Sequence, residues 1–250
     1  MKEKLCLAMD IGEQMLVCGA EVHRVEDSVK RICEAFGAVR TDVFIITSSM
    51  VVTVQYGEGD TCTQTRRITS TGTDFEKIHR LNALSRKICA DDMTVSQIRE
   101  ELAHIVAVNT YPLWAECVCY AVISGAFALF FGGGGIEAAV AFAIGAQVRL
   151  VITAADKAIS NKIFSKFIAS FTATALAFAA LKLGWVPTVD KTMIGIIMTL
   201  IPGIGLTNAL RDLFTGDSIA GLLRSIEAVL SALAIAAGYF LFAALGGVIG

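Results

Sequence analysis

Residues 201–230 read IPGIGLTNALRDLFTGDSIAGLLRSIEAVL, an apolar stretch interrupted by a Pro-Gly pair and by charged side chains. Pro202 lacks a backbone N–H and disfavours a helical residue before it, and Gly203 adds backbone freedom, so we expect a helix to break here. The helix that starts after the break presents N–H groups and a positive dipole end, which suit a carboxylate. A kinked span followed by a charged, capped loop explains the same residues, and both interpretations stay open.

The segments around this stretch have the length and composition of membrane-spanning helices. A bilayer core about 30 Å thick needs roughly 20 mostly apolar helical residues. The whole sequence is 55% hydrophobic and only 18% charged, which is too apolar for an ordinary soluble domain. We predict five transmembrane helices, separated by polar or glycine-rich loops that include residues 211–224. The predicted spans lie near 114–132, 137–155, 163–183, 192–210 and 226–247.

The first half of the chain has a different composition, typical of a small soluble domain. Residues 1–113 contain 13 Lys and Arg and 16 Asp and Glu, whereas residues 114–250 contain only 8 and 7. Apolar residues at three- and four-residue steps predict helices, and β-branched residues predict about three strands. We therefore expect an α-helical membrane protein whose domain 114–250 is preceded by a small α+β cytosolic domain, 1–113. Its predicted elements are helices at 1–18 and 20–36, strands within 41–68, and two helices after Gly72.

The orientation of the chain follows from its charged loops. The amino terminus carries acidic residues among its apolar ones, so we expect no signal peptide. If domain 1–113 is cytosolic, Lys157, Lys162 and Lys166 and the arginines of the 211–224 loop also face the cytosol, which agrees with the positive-inside rule. We expect the bacterial cytoplasmic (inner) membrane as the location.

Several classes of function lack support in the sequence. A formal net charge of −2 without a basic cluster does not suit nucleic-acid binding. The three histidines and seven cysteines show no metal-binding spacing, and no nucleotide-binding loop or nucleophile elbow is present. We expect no catalytic residue, no cofactor and no metal. A membrane-anchored hydrolase or sensor domain is the rival interpretation, and a purely structural partner subunit is a third.

The charged residues around the break are the candidate substrate and gating residues. Ionisable groups in or beside hydrocarbon are costly and call for a compensating role. Arg211 and Arg224 can bind a carboxylate through two parallel hydrogen bonds, while Asp212 and Glu227 are candidates for proton coupling. Arg149 either snorkels to the membrane edge or faces the substrate. The full candidate set is Arg149, Pro202, Gly203, Asn208, Arg211, Asp212, Asp217, Arg224 and Glu227.

Two blocks carry a resemblance to a known family. GAEVHRVEDSVKRICEAFG at 19–37, the strand-rich block after it, and the PG and NALRDLFTGDSIAGLLRSIEA motifs within 202–228 resemble the threonine/serine exporter family. Full-length members are similar to this chain followed by a second, shorter set of about five spans. The chain stops at Gly250, so it resembles the longer subunit of a split form, and the resemblance implies a non-enzymatic exporter.

The resemblance also implies a partner and a substrate class. The partner is a second small multi-span membrane subunit, and the resulting hetero-oligomer can assemble further as a homo-oligomer of the pair. Split pairs are implied to export succinate-like dicarboxylates, and fused members threonine and serine. Both substrate classes carry a carboxylate, so the arginine candidates suit either one.

Overall fold

The computed structural model describes residues 2–57, 59–108, 111–159 and 161–245, which are mostly helical with one three-stranded sheet. They form two compact units. The first, which we call the α+β unit, comprises Met1–Thr110 together with Gly205–Ser225. The second, the helical unit, comprises Tyr111–Ile204 together with Ile226–Gly250.

The α+β unit contains the element order that the sequence predicts: two helices, three strands and two helices. Helices α3 and α4 begin at residues that cap them, since Asp74 accepts from the Lys77 amide and Thr94 forms a reciprocal capping box with Gln97. These elements are α1 (Lys2–Val17), α2 (Val22–Ala35), β1 (Arg40–Ile46), β2 (Ser49–Gln55), β3 (Thr61–Arg67), α3 (Phe75–Ala90) and α4 (Val95–Ala107).

The sheet is antiparallel with the order β1-β2-β3. Its central strand alternates between fully buried and partly exposed residues, because one face packs against helices. Met50, Val52 and Val54 supply the buried face and join a core formed mainly by α1 and α2. A Cβ at Gly12 of α1 would lie 2.6 Å from a methyl of Val29, so the glycine permits the close approach of these two helices.

The helical unit holds the long apolar helices. These are α5 (Leu113–Phe130), α6 (Gly135–Ala158), α7 (Lys162–Lys182) and α8 (Asp190–Leu200), with the later part of α10 (Ser218–Leu245). Four helices of the described residues, namely α5, α6, α7 and α10, are long and apolar enough to cross a membrane. Helix α8 and the next helix, α9 (Gly203–Thr215), are bent by 51° at their break and can count together as a fifth span.

Small residues allow the helices of this unit to pack closely. A Cβ at Gly145 of α6 would lie 2.4 Å from Ser124 Oγ of α5, and one at Gly195 of α8 would lie 2.4 Å from the Ser124 carbonyl. On α7, Ser170 Oγ donates to the Ile235 carbonyl of α10 over 2.7 Å. Close backbone approach and interhelical hydrogen bonds are the usual means by which membrane helices associate.

One expectation is wrong. The sequence predicts a polar loop at 211–224, but α9 continues to Thr215 and α10 begins at Ser218. The helices persist because Ala209 and Ala220 are buried and because Gly221 of α10 lies close against α9, where an added Cβ would be 2.6 Å from Leu213 Cγ. Only Gly216, at φ 101°, and Asp217 separate them. Residues 205–225 pack with residues 1–110, while the assignment of 1–113 to the cytosol and of 114–250 to the membrane stays a prediction.

Candidate functional site

The turn that connects α1 and α2 is held in place by the segment leading into α3. Gly19 has a φ of 90°, a left-handed conformation that glycine adopts without strain. Gly72 N donates to the Val17 carbonyl over 2.7 Å, and Asp74 N donates to the Cys18 carbonyl over 3.0 Å. A Cβ at Gly19 would lie 2.4 Å from the Gly72 carbonyl oxygen, so the turn has no room for a larger residue.

Three of the candidate side chains converge on this turn. Asn208 Nδ2 donates to the Gly19 carbonyl over 3.3 Å. Arg211 forms an ion pair with Glu21, and Arg224 Nη2 donates to the Ala20 carbonyl over 2.9 Å. We call these residues, with the turn 19–21 and Asp212, the turn cluster. The structure therefore brings residues of α9 and α10 together with a turn about 190 positions earlier in the chain.

Asp212 is the buried member of the turn cluster. Its Oδ2 lies 3.0 Å from Arg224 Nη1, and the two side chains are 1% and 13% exposed. The carboxylate also lies beside the backbone amide of Val22, in the first turn of α2. The Arg211–Glu21 pair is more open, with side-chain exposures of 55% and 17%. One guanidinium of the cluster is thus enclosed with its counter-charge, and the other remains accessible to solvent.

Asp217 lies close to a second carboxylate, that of Glu26 on α2. Glu26 Oε1 accepts a hydrogen bond from the Ile45 amide over 3.0 Å. Burial raises the pKa of Glu26 above its usual value, and the nearby Asp217 carboxylate raises it further, while the Ile45 hydrogen bond acts in the opposite direction. Asp217 Oδ2 is enclosed and accepts no hydrogen bond from the residues that the structure describes.

The remaining candidates near the break lie elsewhere. Helix α8 ends at Leu200 and α9 starts at Gly203, so the predicted break at Pro202 is confirmed, whereas its role in substrate binding stays a prediction. Gly203 N donates to the Ile201 carbonyl over 2.9 Å. Glu227 follows Arg224 by three positions on α10 and is exposed, and it makes no ion pair with any described residue.

Arg149 has a partner that the sequence analysis missed. Its Nη2 and Nε lie 2.6 Å and 2.9 Å from the same oxygen, Oε2 of Glu116. Glu116 stands in the first turn of α5 and Arg149 in the second half of α6, so the two helices bring opposite charges together. The signal that could have revealed the pair is a lone acid and a lone base at matching distances from the connection between two neighbouring antiparallel spans.

The turn cluster and the Arg149–Glu116 pair both contain guanidinium and carboxylate groups. A guanidinium can bind an anion, and it can exchange one carboxylate partner for another. Within the described ranges, no group of three or more His, Cys, Asp or Glu side chains could hold a metal ion. The chain has the features of a multi-span helical membrane protein. Several of its helices are apolar and long enough to span a bilayer, and ion pairs lie on those helices and beside them.

The chain belongs to the ThrE family, since the family model described as "Putative threonine/serine exporter" matches residues 6–246. It is also similar to the pheromone-regulated membrane protein 10 of Kluyveromyces lactis, with 26% identity over 259 residues. That match covers 98% of this chain and 25% of the relative, so the chain spans about a quarter of the relative's length. No solved structure matches. The resemblance seen in the sequence is confirmed, and the family is one of membrane exporters.

Proposed function

We propose that this chain is a subunit of a secondary-active exporter of small carboxylate-bearing metabolites, either succinate-like dicarboxylates or threonine and serine, and that the turn cluster is its gate. The observation that carries the proposal is the convergence of Asn208, Arg211 and Arg224 on one turn. Arginines suit the proposed substrates because a guanidinium binds a carboxylate through two parallel hydrogen bonds.

The two ion pairs of the cluster differ in how easily they can open. The Arg211–Glu21 pair is partly exposed, and pairs of this kind contribute only about 0–1 kcal/mol, so thermal motion or a competing carboxylate can separate it. The Arg224–Asp212 pair is enclosed, and removing one partner of such a pair costs about 3–5 kcal/mol. We assign Arg211 and Glu21 to the moving part of the gate and Arg224 and Asp212 to its anchor.

The proposal includes a second small multi-span membrane subunit, and the pair can associate further as a homo-oligomer. It also places the complex in the bacterial cytoplasmic membrane with domain 1–113 in the cytosol. The support for the partner is what the sequence resemblance implies, and the support for the orientation is the basic residues Lys157, Lys162 and Lys166 near the end of α6 and the start of α7. The ion gradient is that of protons, with Asp212 and Glu227 as the proposed coupling residues.

Reconstitution tests the export function. The chain and its partner subunit are placed in liposomes that are preloaded with labelled succinate, threonine or serine, and efflux is measured after a proton gradient is imposed. We expect efflux of at least one compound. Arg211→Gln should abolish it while leaving expression and partner association intact, and Glu227→Gln should change its pH dependence.

Arg31→Gln is the matched control for Arg211→Gln. Arg31 lies on α2 and pairs with Asp27 on the protein surface, away from the turn. The complex with Arg31→Gln should export at the wild-type rate. If the wild-type complex moves none of the three compounds, the export proposal fails; if Arg211→Gln exports normally, export stands and the gate must be sought outside the turn cluster.

A further inference from the structure

Glu116 and Arg149 form an incomplete version of the pairing that a guanidinium offers a carboxylate. Both hydrogen bonds from Arg149 end on Glu116 Oε2, at 2.6 Å and 2.9 Å. Glu116 Oε1 and Arg149 Nη1 stay outside this pairing. A carboxylate that engages the guanidinium with both oxygens makes the stronger, bidentate arrangement. Glu116 is therefore a partner that a small free carboxylate can replace.

The surroundings keep Arg149 in place when its partner changes. The Tyr120 ring lies over the guanidinium, with its centroid 5.8 Å from Cζ, and stabilises the cation. One turn before Arg149, a Cβ at Gly145 would lie 2.7 Å from the Tyr120 carbonyl oxygen, so α5 and α6 are in backbone contact there. The helices cannot approach further, so a change of partner at Arg149 requires rearrangement of side chains alone.

The pair is also in an environment where charge is costly. Both residues lie on helices that qualify as membrane spans, and the side chains of Arg149 and Glu116 are only 22% and 34% exposed. Ionisable residues within membrane spans are rare, pair with one another, and mark substrate and ion pathways. A brace between two already close-packed helices does not need an ion pair, because Gly145 and Ser124 supply the contact.

We propose that Arg149 binds the carboxylate of the exported molecule and that Glu116 is the internal carboxylate that occupies Arg149 in the substrate-free state. This inference rests on the proposed export function and adds the substrate-binding residue to it. When a proton binds Glu116, the negative charge is removed, the ion pair opens, and Arg149 is left as an unpaired cation. The carboxylate of the substrate then takes its place. When that proton leaves, Glu116 recovers its charge and displaces the substrate.

Protonation of Glu116 and binding of the substrate favour each other, so the affinity of Arg149 for the substrate depends on pH. Other ionisable groups on the helices that pack together here are Cys117, Cys119 and Tyr120 on α5, Glu137, Asp156 and Lys157 on α6, Lys162, Lys166 and Lys182 on α7, and Asp190 and Lys191 in the first turn of α8. Of these, Tyr120 faces the pair directly.

Binding measurements on the purified complex with its partner subunit test the inference. Labelled succinate, threonine and serine are each titrated at neutral and at mildly acidic pH. For the wild type, we expect affinity for the exported compound to rise as the pH falls. Glu116→Gln should bind about fivefold more tightly or better at neutral pH, because the internal competitor has lost its charge, and its affinity should no longer depend on pH. Arg149→Gln should lose binding.

Further variants separate binding from a structural role. Glu137→Gln is the control, because Glu137 is an acid in the first turn of α6 whose Oε2 accepts from the Gly134 amide; it should leave affinity and pH dependence unchanged. The double variant Glu116→Gln with Arg149→Gln carries no unpaired charge and should insert normally without binding substrate. If Arg149→Gln fails to insert into the membrane, Arg149→Lys can replace it as the test. Lysine keeps the positive charge but lacks the two parallel N–H donors of a guanidinium, so this variant should bind the substrate more weakly than the wild type does.

The outcomes distinguish this inference from the export proposal. If the wild-type complex exports none of the three compounds, the proposed function itself fails. If it exports one of them while Glu116→Gln keeps the wild-type affinity and pH dependence, or while the double variant still exports, only this inference fails. Affinity that falls on acidification would also overturn it.

Discussion

Arg224 Nη1 lies 3.0 Å from Asp212 Oδ2, and this ion pair joins the start of α10 to α9 inside the α+β unit. The same guanidinium donates from Nη2 to the Ala20 carbonyl. One side chain therefore connects α9 and α10 with a turn 204 positions earlier in the chain. Because Asp212 is enclosed, the pair is expected to decide whether α9 stays packed against the α1–α2 turn.

Asp212→Asn should weaken this packing. The substitution leaves the enclosed Arg224 without its counter-charge, which costs about 3 kcal/mol. We expect a lower thermal unfolding temperature in detergent and faster hydrogen–deuterium exchange in residues 205–225. Asp27→Asn, which removes the partner of the exposed Arg31, should have little effect on either measurement. Equal effects of the two substitutions would contradict an anchoring role for Asp212.

Glu26 should make the stability of the α+β unit depend on pH. Its pKa is raised from 4.5 in the folded protein, mainly by burial and further by Asp217, so the folded state holds the proton more tightly than the unfolded state does. Stability should therefore fall as the pH rises from 4.5 through the raised pKa of Glu26. Denaturant unfolding at a series of pH values should show this decline.

Glu26→Gln isolates the effect of that carboxylate. An amide oxygen can still accept from Ile45 but carries no charge, so the decline should flatten and stability at neutral pH should increase. Asp217→Asn should make the loss of stability with rising pH smaller, since it removes the second cause of the raised pKa of Glu26. A Glu26→Gln profile that parallels the wild type would show that other groups are responsible.

Gly145→Ala should separate α5 from α6. The new Cβ would lie 2.4 Å from Ser124 Oγ and 2.7 Å from the Tyr120 carbonyl oxygen, and the backbone contact can be relieved only by moving a helix. Overpacking of this kind costs about 1–3 kcal/mol. Gly135→Ala is the control, because nothing lies within 4 Å of a Cβ there. The thermal unfolding temperatures of the two variants are measured in detergent. Equal stability of Gly145→Ala and Gly135→Ala would contradict close packing at Gly145.

The cytosolic placement of domain 1–113 can be tested by labelling in intact cells. The experiment uses Asp60→Cys in a background without native cysteines. Asp60 lies on the exposed β2–β3 connection and is chosen over Gly59, whose φ of 100° would strain any substitution. An impermeant thiol reagent should label it only after lysis. Thr188→Cys, on the exposed α7–α8 connection, should be labelled without lysis. The reverse pattern would invert the proposed orientation.

Much of the local structure could be predicted because its causes are local. Helices α1 to α4 and the three strands follow from residue spacing and propensity, and the break at Pro202 follows from a missing N–H. The expectation of a loop at 211–224 was wrong because it relied on charge and not on helix propensity. The charged residues there suggested exposure to solvent, but the residues on either side of Gly216 and Asp217 are mostly good helix formers, and they continue α9 and α10.

The sequence by itself determined the two compositional halves, the apolar spans, the broken helix and the family, because hydrophobicity, periodicity and motifs can be identified within a few tens of residues. Only the tertiary structure decided what the charged residues contact. Arg211 and Arg224 meet a turn roughly 200 positions earlier, and Arg149 meets Glu116 on the neighbouring helix. A guanidinium can pair with any carboxylate within reach, so its partner depends on how the helices pack, which residue spacing does not specify.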